Sequence, residues 1–510
     1  MDDRISRRTL IGSLALGAVG LPFCRSAHPA PRSGREGATR TVDFLDERWI
    51  SHTHALTRQV ARPERVSDEP VIAPAGAHGT TLPNGDGLCM WYSTVRWVEI
   101  GGQKTHETWI HYATSEDGVT FEKPDLGLHE GNVIIKADDT GADGKPLTGV
   151  RGCSGFCVLD AQQQPVPHAR GRYTAMFRAW VPGRHGGLSL AYSDDGLRWT
   201  AYEENPVRVG SSDTFNIFCY DDRIERYVAY VRPLIHAGPP RVNRLVARIE
   251  SEDLVHWENE QIVLDTDDRD APALGTVNEA THPDGTGYPR GRDKQFYGLT
   301  VTPHQEVYLG FASLYDVVPG TMWVELMHSY DGIQWRREPQ RGPLIGLGGD
   351  DAWDSGLVYF PNAGCPVAVG DDWLIYYAGT NFDHHHRTRS RGDLGEFRAT
   401  GAVRLKRGRL VGYEAGDVPG DLLTRTFPWN GNELFLNADA HGGSIAVEIC
   451  AANGQSIRGF SRKETASVTE DGVRVPVAFE AGGSLASLQG RQVRLRMYLK
   501  RASVFGISLG

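Results

Sequence analysis

Ser193-Asp194-Asp195-Gly196-Leu197-Arg198-Trp199 decides how this chain folds, because the phrase occurs four times. The other copies are Ser115-Glu116-Asp117-Gly118-Val119-Thr120-Phe121, Ser251-Glu252-Asp253-Leu254-Val255-His256-Trp257 and Ser329-Tyr330-Asp331-Gly332-Ile333-Gln334-Trp335. Ser opens each copy, Asp follows two residues on, and an aromatic ring stands six residues on. Asp-Gly between alternating apolar runs predicts a tight hairpin, since the turn needs positive φ and glycine reaches it without steric cost. A unit repeated at intervals of several tens of residues fixes the architecture before any other feature. The repeated acids belong to the turns, where a carboxylate accepts bonds from nearby backbone N–H groups. Asp117, Asp195, Asp253 and Asp331 are therefore read as structural.

Working outward, each hairpin closes a set of predicted strands. The first unit holds Val71 to Ala75, Leu88 to Tyr92 and Trp109 to Tyr112. The second holds Gly152 to Leu159, Tyr173 to Phe177 and Leu188 to Tyr192; the third holds Thr214 to Tyr220, Tyr227 to Val231 and Leu245 to Ile249. The fourth holds Phe296 to Val301, Val307 to Phe311 and Trp323 to Met327. A fifth lacks the phrase but keeps the rhythm, with Leu357 to Phe360, Trp373 to Tyr377, Gly401 to Leu405 and Leu410 to Tyr413. Five meanders, each too small to bury its own face, predict an all-β chain with a five-bladed β-propeller over residues 69–420. One long sandwich would not place the same hairpin at the same point of each unit. From residue 421 to 510 short alternating strands with turn residues between them predict a small β-sandwich.

The ends and the composition set the context. Ser6-Arg7-Arg8-Thr9-Leu10 precedes an apolar run to Phe23, the pattern of a twin-arginine export signal over residues 1–30, with cleavage near Ala27 or Ala30. The expected destination is the periplasm or beyond, with no integral membrane segment once the signal is removed. Residues 31–68 are charged and Pro-dotted and read as a lead-in that packs on the outside. A net charge of −10 over 510 residues, with no basic stripe, argues against a nucleic-acid partner. Six cysteines follow the signal at irregular spacings, mostly in predicted strands, so neither a disulfide framework nor a zinc site is expected.

The Ser-x-Asp-Gly-x-x-Trp hairpins, Trp353-Asp354-Ser355-Gly356, Ile375-Tyr376-Tyr377-Ala378-Gly379 and the trailing sandwich together resemble the five-bladed glycosidases of glycoside hydrolase families 32 and 43. The resemblance spans roughly Glu69 to Gly510. It implies a carbohydrate substrate, no cofactor, and a site where the first strands of the blades begin and the second strands end. Those families carry a carboxylate at the head of the first blade and a Glu in a middle blade. Here the first blade opens Ala73-Pro74-Ala75-Gly76-Ala77-His78, without an acid, so that pattern is not carried over.

Position then selects the candidates. Asp213 heads the third blade and Asp354 the fifth, a carboxyl pair of the kind glycoside hydrolysis uses. Glu107, at the start of a third strand, is the further catalytic candidate, with Glu279 and Glu325 in reserve. Arg151, Arg178 and Arg232 at the mouth either grip a carboxylate or sulfate on the substrate or neutralise the two acids. Tyr297, Asn381 and His384 complete the substrate-binding set. The adjacent His384-His385-His386 cannot all face one metal, because neighbours on a strand point oppositely, and no metal site is assigned. The leading expectation is an exported glycoside hydrolase acting on an oligosaccharide or polysaccharide, acidic ones included. The alternatives are a non-catalytic carbohydrate-binding propeller and a polysaccharide lyase using a His or Tyr base with an Arg against the uronate.

Overall fold

The hydrogen bonds of the computed structural model group most of the chain into antiparallel meanders; it describes residues 40–179, 186–210, 212–233, 244–270, 294–480 and 483–510. The export segment and Glu279 lie outside the described residues. Gly79–Asn84, Gly87–Ile100, Gln103–Ser115 and Val133–Ile135 form the first sheet. Cys153–Asp160, Tyr173–Ala179, Gly187–Ser193 and Thr200–Ala201 form the core of the second, and Ile217–Asp221, Arg226–Val231, Val246–Ser251 and Glu258–Leu264 the third. Lys294–His304, Val307–Asp316, Thr321–Ser329 and Trp335–Arg337 make the fourth meander. It joins the fifth through a single parallel step between Met322 and Leu357. The fifth contains Leu357–Tyr359, Asp372–Thr380 and Arg398–Lys406.

Neighbouring meanders are tied at their innermost strands by buried threonines and asparagines. Thr80 Oγ1 donates to the Phe156 carbonyl at 2.8 Å, Thr214 Oγ1 to that of Tyr297 at 2.9 Å, and Thr300 Oγ1 to that of Pro361 at 2.7 Å. Asn362 Nδ2 donates to Thr81 Oγ1 at 3.0 Å and Ala363 N to the Gly79 carbonyl at 2.9 Å, which links the fifth meander back to the first. Between the second and third, Cys157, Phe215 and Ile217 share one apolar cluster.

The repeated phrase does two jobs. Within each copy the Asp caps its own turn: Asp195 Oδ1 accepts from Leu197 N and Arg198 N, both at 2.8 Å, and Ser193 Oγ accepts from Gly196 N at 2.9 Å. Between meanders the carbonyl at the glycine position is a docking point. Trp91 Nε1 of the first meander donates to the Gly196 carbonyl of the second at 2.8 Å. Tyr230 of the third donates to Gly332 of the fourth at 3.0 Å, and Tyr376 of the fifth to Gly118 of the first at 2.7 Å. Trp91, Tyr230 and Tyr376 hold the same place, the fourth residue of the second-strand stretch that the sequence predicts in each unit. The second unit has Met176 there, which has no donor. Its partner hairpin carries Leu254 in place of glycine, and the two side chains fall in one buried cluster. The fourth unit has Gly310 there, and the fifth carries no such hairpin to receive a donor.

Glycine is favoured at 118, 196 and 332 by a left-handed φ, which Leu254 also holds in the remaining copy, and is required there by close approach of a neighbour. Their φ values are +75°, +75° and +70°. A Cβ at 196 would stand 2.8 Å from the Trp91 ring, and one at 332 would stand 2.5 Å from the Tyr230 hydroxyl.

Two strand assignments differ from the sequence reading. The first strand of the first meander is Gly79–Asn84, while Val71 and Ile72 bond instead to Thr400 beside the fifth sheet. Thr80 and Thr81 are buried and polar, and Pro83 follows, so the innermost strand lacks the apolar signature that Val71–Ala75 carries. The last strand of the fifth sheet is Glu64–Arg65, paired to Val403 and Arg404, rather than Leu410–Tyr413. Val411–Ala415 lies between Thr57–Val60 and Ala502–Leu509 in a different sheet. Local alternation marks a strand but does not say which edge it joins.

That different sheet, with Arg40–Asp43, Leu434–Asp439 and Asp471–Pro476, faces a second one built from Ile50–His54, Gly420–Thr424, Gln492–Lys500, Phe427–Pro428 and Ser444–Ala451. Leu436, Val504 and Ile507 of one share a core with Leu422, Leu495 and Met497 of the other. The segment read as an outer lead-in is thus woven through both sheets and the fifth meander. Arg58, within it, donates to the Phe44 and Leu45 carbonyls and grips both oxygens of buried Glu338 at 2.9 Å. Among the described residues no helix is long and apolar enough to cross a membrane.

The docking carbonyls make a direct prediction for unfolding in guanidinium. Tyr376→Phe strands the Gly118 carbonyl and should cost about 1–2 kcal/mol. Gly196→Ala combines a disfavoured φ with a clash against Trp91 and should cost about 3 kcal/mol. Equal stability of parent and Gly196→Ala would exclude this packing.

Candidate functional site

The innermost strands begin on one side of the ring, and the residues just ahead of them converge there. His78 precedes Gly79–Asn84, Arg151 precedes Cys153–Asp160, Asp213 precedes Ile217–Asp221, and Tyr297 lies near the start of Lys294–His304. The second strands return to the same side, which brings in Arg178, Arg232, Tyr315 and, past Asp372–Thr380, His384. Arg398 starts the third strand of the fifth meander.

Contacts confirm this convergence residue by residue. Arg178 Nη1 donates to Asp213 Oδ1 at 3.1 Å, and the Asp213 side chain remains 69% exposed. His78 packs against Phe215 and Phe360 with ring centres 5.1 and 5.0 Å away. Arg151 Nε donates to the His106 carbonyl at 3.3 Å, and its Nη2 lies 3.4 Å from the ring nitrogen Nε2. Tyr297 and Tyr315 flank His384: the Tyr297 hydroxyl is 3.1 Å from Nε2 and the Tyr315 hydroxyl 3.3 Å from Nδ1. Arg244 lies 4.8 Å from the Tyr297 ring centre and 5.1 Å from that of Tyr315.

The electrostatics are those of a basic, partly desolvated centre. Burial lowers the His78 pKa to about 4, helped by the charges of Arg178 and Arg398 and opposed by Asp213. Burial, then Arg151, Arg398 and Arg178, lowers that of His106, again against Asp213. Both imidazoles are therefore neutral near pH 7. Asp213 is the carboxylate whose charge reaches His78, His106 and Arg232 alike.

The expected carboxyl pair is not brought together. Asp354 is buried, with 1% of its side chain exposed, and its Oδ2 accepts from Arg65 Nε and Nη2 at 3.1 and 2.9 Å and from the Tyr377 hydroxyl at 2.8 Å. Arg65 Nη2 also donates to the Gly346 carbonyl at 2.7 Å. Asp354 thus fastens the Glu64–Arg65 edge strand to the loop ahead of its own strand. Its partner stands 289 residues away in sequence, which is why position alone suggested the mouth. Glu107 makes no ion pair or side-chain hydrogen bond with Asp213, Arg151 or Arg178 among the described residues. It neighbours His106 on one strand, so the two side chains point to opposite faces. It pairs in register with Arg96, whose guanidinium stacks 4.0 Å from the Trp109 ring centre. The reserve acid Glu325 is buried against Arg337, with Oε2 2.7 Å from Nη2.

Asn381 is corrected as well. Its buried amide donates to the Arg391 and Gly395 carbonyls at 3.2 and 2.8 Å and accepts from Phe397 N at 2.9 Å, so it shapes a loop and presents nothing to a ligand. Arg151, Arg178, Arg232, Tyr297 and His384 stand at the mouth. The sequence reading missed His78, His106, Arg244, Tyr315, Phe360 and Arg398. His78 was within reach of it, at the head of the first meander, had the strand start been placed at Gly79. Among the described residues no group of three or more His, Cys, Asp or Glu side chains is placed to share a metal ion.

A cleft of about 340 Å³ opens elsewhere, where Asp43, Asn437 and Arg474 of the sandwich meet His304 and Trp373. The His304–Asp43 pair at 2.7 Å spans it and ties the two parts of the chain. It is a seam, remote in its residues from the mouth.

No protein-family model matches the chain, and no curated protein matches it by sequence. It is similar to solved structures. A glycosyl hydrolase from Bacteroides ovatus aligns at TM-score 0.44 with 14% identity over 69% of this chain and 95% of that one. A thermostable family-43 glycoside hydrolase aligns at 0.41 with 12% identity over 65% and 92%. The β-1,2-mannobiose phosphorylase from Listeria innocua aligns at 0.40 with 12% identity over 70% and 98%.

The two acids should separate in a stability measurement. Asp354→Asn breaks a buried pair and should lower the unfolding free energy by about 2–4 kcal/mol. Asp213→Asn loses an exposed pair and should cost about 0.5 kcal/mol. The reverse order in chemical denaturation would contradict the assignment.

The histidines also fix a pH dependence. His78 and His328 both drop from 6.5 to about 4 on folding, chiefly through burial, so between those values the unfolded chain binds more protons. Their contribution to stability is full above pH 6.5 and is lost as the pH falls toward 4. His78→Gln should flatten that part of the curve; an unchanged slope would contradict a neutral, buried imidazole.

Proposed function

We propose that the chain is an exported glycoside hydrolase that cleaves an oligosaccharide or polysaccharide at the mouth of the ring, with Asp213 as the carboxylate that acts there. The observation that supports this most is the convergence of Asp213 with His78, His106, Arg178 and Tyr297 at the ends of separate meanders. Hydrolysis needs one group to attack the anomeric carbon or activate water and another to protonate the leaving oxygen. Asp213 suits the first role: one oxygen is held by Arg178, and the side chain is largely open to the mouth. Aromatic faces at Tyr297 and Tyr315 offer surfaces on which a sugar ring can rest. Export by the twin-arginine route belongs to this proposal and is supported by Arg7-Arg8 ahead of the apolar run.

A second reading is supported by His384 and its two tyrosines. With its own phenol proton passed to His384, a tyrosine oxygen there could take the proton α to a uronate carboxylate while an arginine neutralises the carboxylate, and then hand that proton to the leaving oxygen. The C–O bond to the leaving sugar then breaks, leaving an unsaturated ring. This route needs no carboxyl pair. Hydrolysis is preferred because each tyrosine hydroxyl is already engaged by His384, whereas Asp213 keeps an oxygen available and needs no such relay.

A panel of defined neutral and acidic oligosaccharides tests the proposal. New reducing ends without ultraviolet absorbance are expected, with Asp213→Asn reducing turnover by about a hundredfold or more and Tyr297→Phe retaining most of it. An absorbing unsaturated product, lost in Tyr297→Phe, would replace hydrolysis by elimination. Binding without any product would leave a carbohydrate-binding propeller and overturn the enzyme claim.

A further inference from the structure

We propose that Arg232 and Arg244, gathered over Tyr297, form an oxyanion subsite that seats a carboxylate or sulfate carried by the sugar. This deepens the saccharide reading of the mouth and rests on it.

Elsewhere in the fold, buried guanidinium groups have carboxylate partners. Arg208 meets Glu260 at 2.7 Å, Arg248 meets Glu250 at 2.9 Å, and Arg337 meets both Asp270 and Glu325. At the mouth, Arg178 is taken up by Asp213 and Arg151 lies against His106. Arg232 and Arg244 differ. Among the described residues neither is within ion-pair distance of an acid. Arg232 Nη2 is buried and has no hydrogen-bond partner there. Arg244 Nη1 donates to Gln295 Oε1 at 3.3 Å, a neutral acceptor that leaves its charge uncompensated. The two guanidinium carbons lie 5.8 and 4.8 Å from the same Tyr297 ring centre. Burial lowers the Arg232 pKa, with the charges of Arg244 and Arg178 adding to the effect and Tyr297 and Asp213 opposing it.

Two like charges held together with a buried donor unsatisfied are costly to maintain. A hydroxyl could satisfy the donor but not the charge. A carboxylate or sulfate satisfies both, through the paired N–H geometry a guanidinium presents. The position is also fixed from beneath: Arg232 N donates to Ser212 Oγ at 3.1 Å, and Gln295 is buried on the same strand as Tyr297. Such a subsite selects acidic saccharides.

Calorimetric titration of the full chain with glucuronic acid, glucose 6-sulfate, glucose and inorganic phosphate tests this. The two acidic sugars should bind at least tenfold tighter than glucose and tighter than phosphate. Arg232→Gln and Arg244→Gln should each remove that preference, bringing the acidic sugars down to the affinity of glucose. Because no acid of the described residues lies within ion-pair distance of Arg232, and the charges of Arg244 and Arg178 oppose the longer-range attraction of Asp213, the unliganded Arg232→Gln protein should unfold at no lower temperature than the parent. Glucose binding as tightly as the acidic sugars overturns the subsite alone and leaves the saccharide reading in place. Phosphate binding while no sugar binds overturns both. A lowered unfolding temperature for Arg232→Gln would make the arginine structural and overturn the subsite.

Discussion

The whole ring depends on one contact repeated in variation: a side-chain donor on the second strand of one meander meeting the backbone carbonyl of the next meander's hairpin. Tyr376 to Gly118, Trp91 to Gly196 and Tyr230 to Gly332 are the polar versions; the second unit has Met176 in the donor place and the next hairpin Leu254 in the glycine place, both within one apolar cluster. The carbonyl is exposed to its partner because the turn residue is left-handed, and the partner can approach because that residue has no Cβ. Where the donor disappears, so does the glycine. The requirement that a buried carbonyl have a donor thus accounts for the Trp or Tyr and the glycine of the three polar clasps.

Closing the ring needs more than these clasps. The edge of the fifth sheet is supplied by Glu64–Arg65, from the part of the chain that precedes the first meander, and Arg65 is held there by buried Asp354. The same N-terminal stretch adds strands to both of the sheets that share the core of Leu422, Leu436 and Met497, so these sheets and the meanders are linked by one segment. This arrangement explains why an acid at the head of a meander has a structural task. It also leaves Asp213 as the carboxylate that the mouth's histidines and Arg232 sense.

The sequence made the hairpins, the all-β class and most strands legible, because Asp-Gly turns and alternating apolar residues are local signals. It hid the innermost strand Gly79–Asn84, whose buried positions are threonines satisfied by bonds to the next meander. It also hid the pairing of the N-terminal strands, since edge partners hundreds of residues apart leave no local trace. The site divided along the same line. Arg151, Arg178, Arg232, Tyr297 and His384 follow from where strands start and end. Asp354, Glu107 and Asn381 fail because a side chain's partner or facing is set by elements that position alone does not describe. His78 was lost through the misplaced first strand.

The claim that matters most is that a saccharide binds at the mouth over Tyr297 and beside Asp213. A crystal structure determined after soaking with an acidic oligosaccharide tests it directly. Sugar density against the Tyr297 and Tyr315 rings, with an oxygen within hydrogen-bond distance of Asp213 and an acidic group at Arg232, is the predicted result. Density confined to the seam around His304 and Trp373, with the mouth empty, would contradict it.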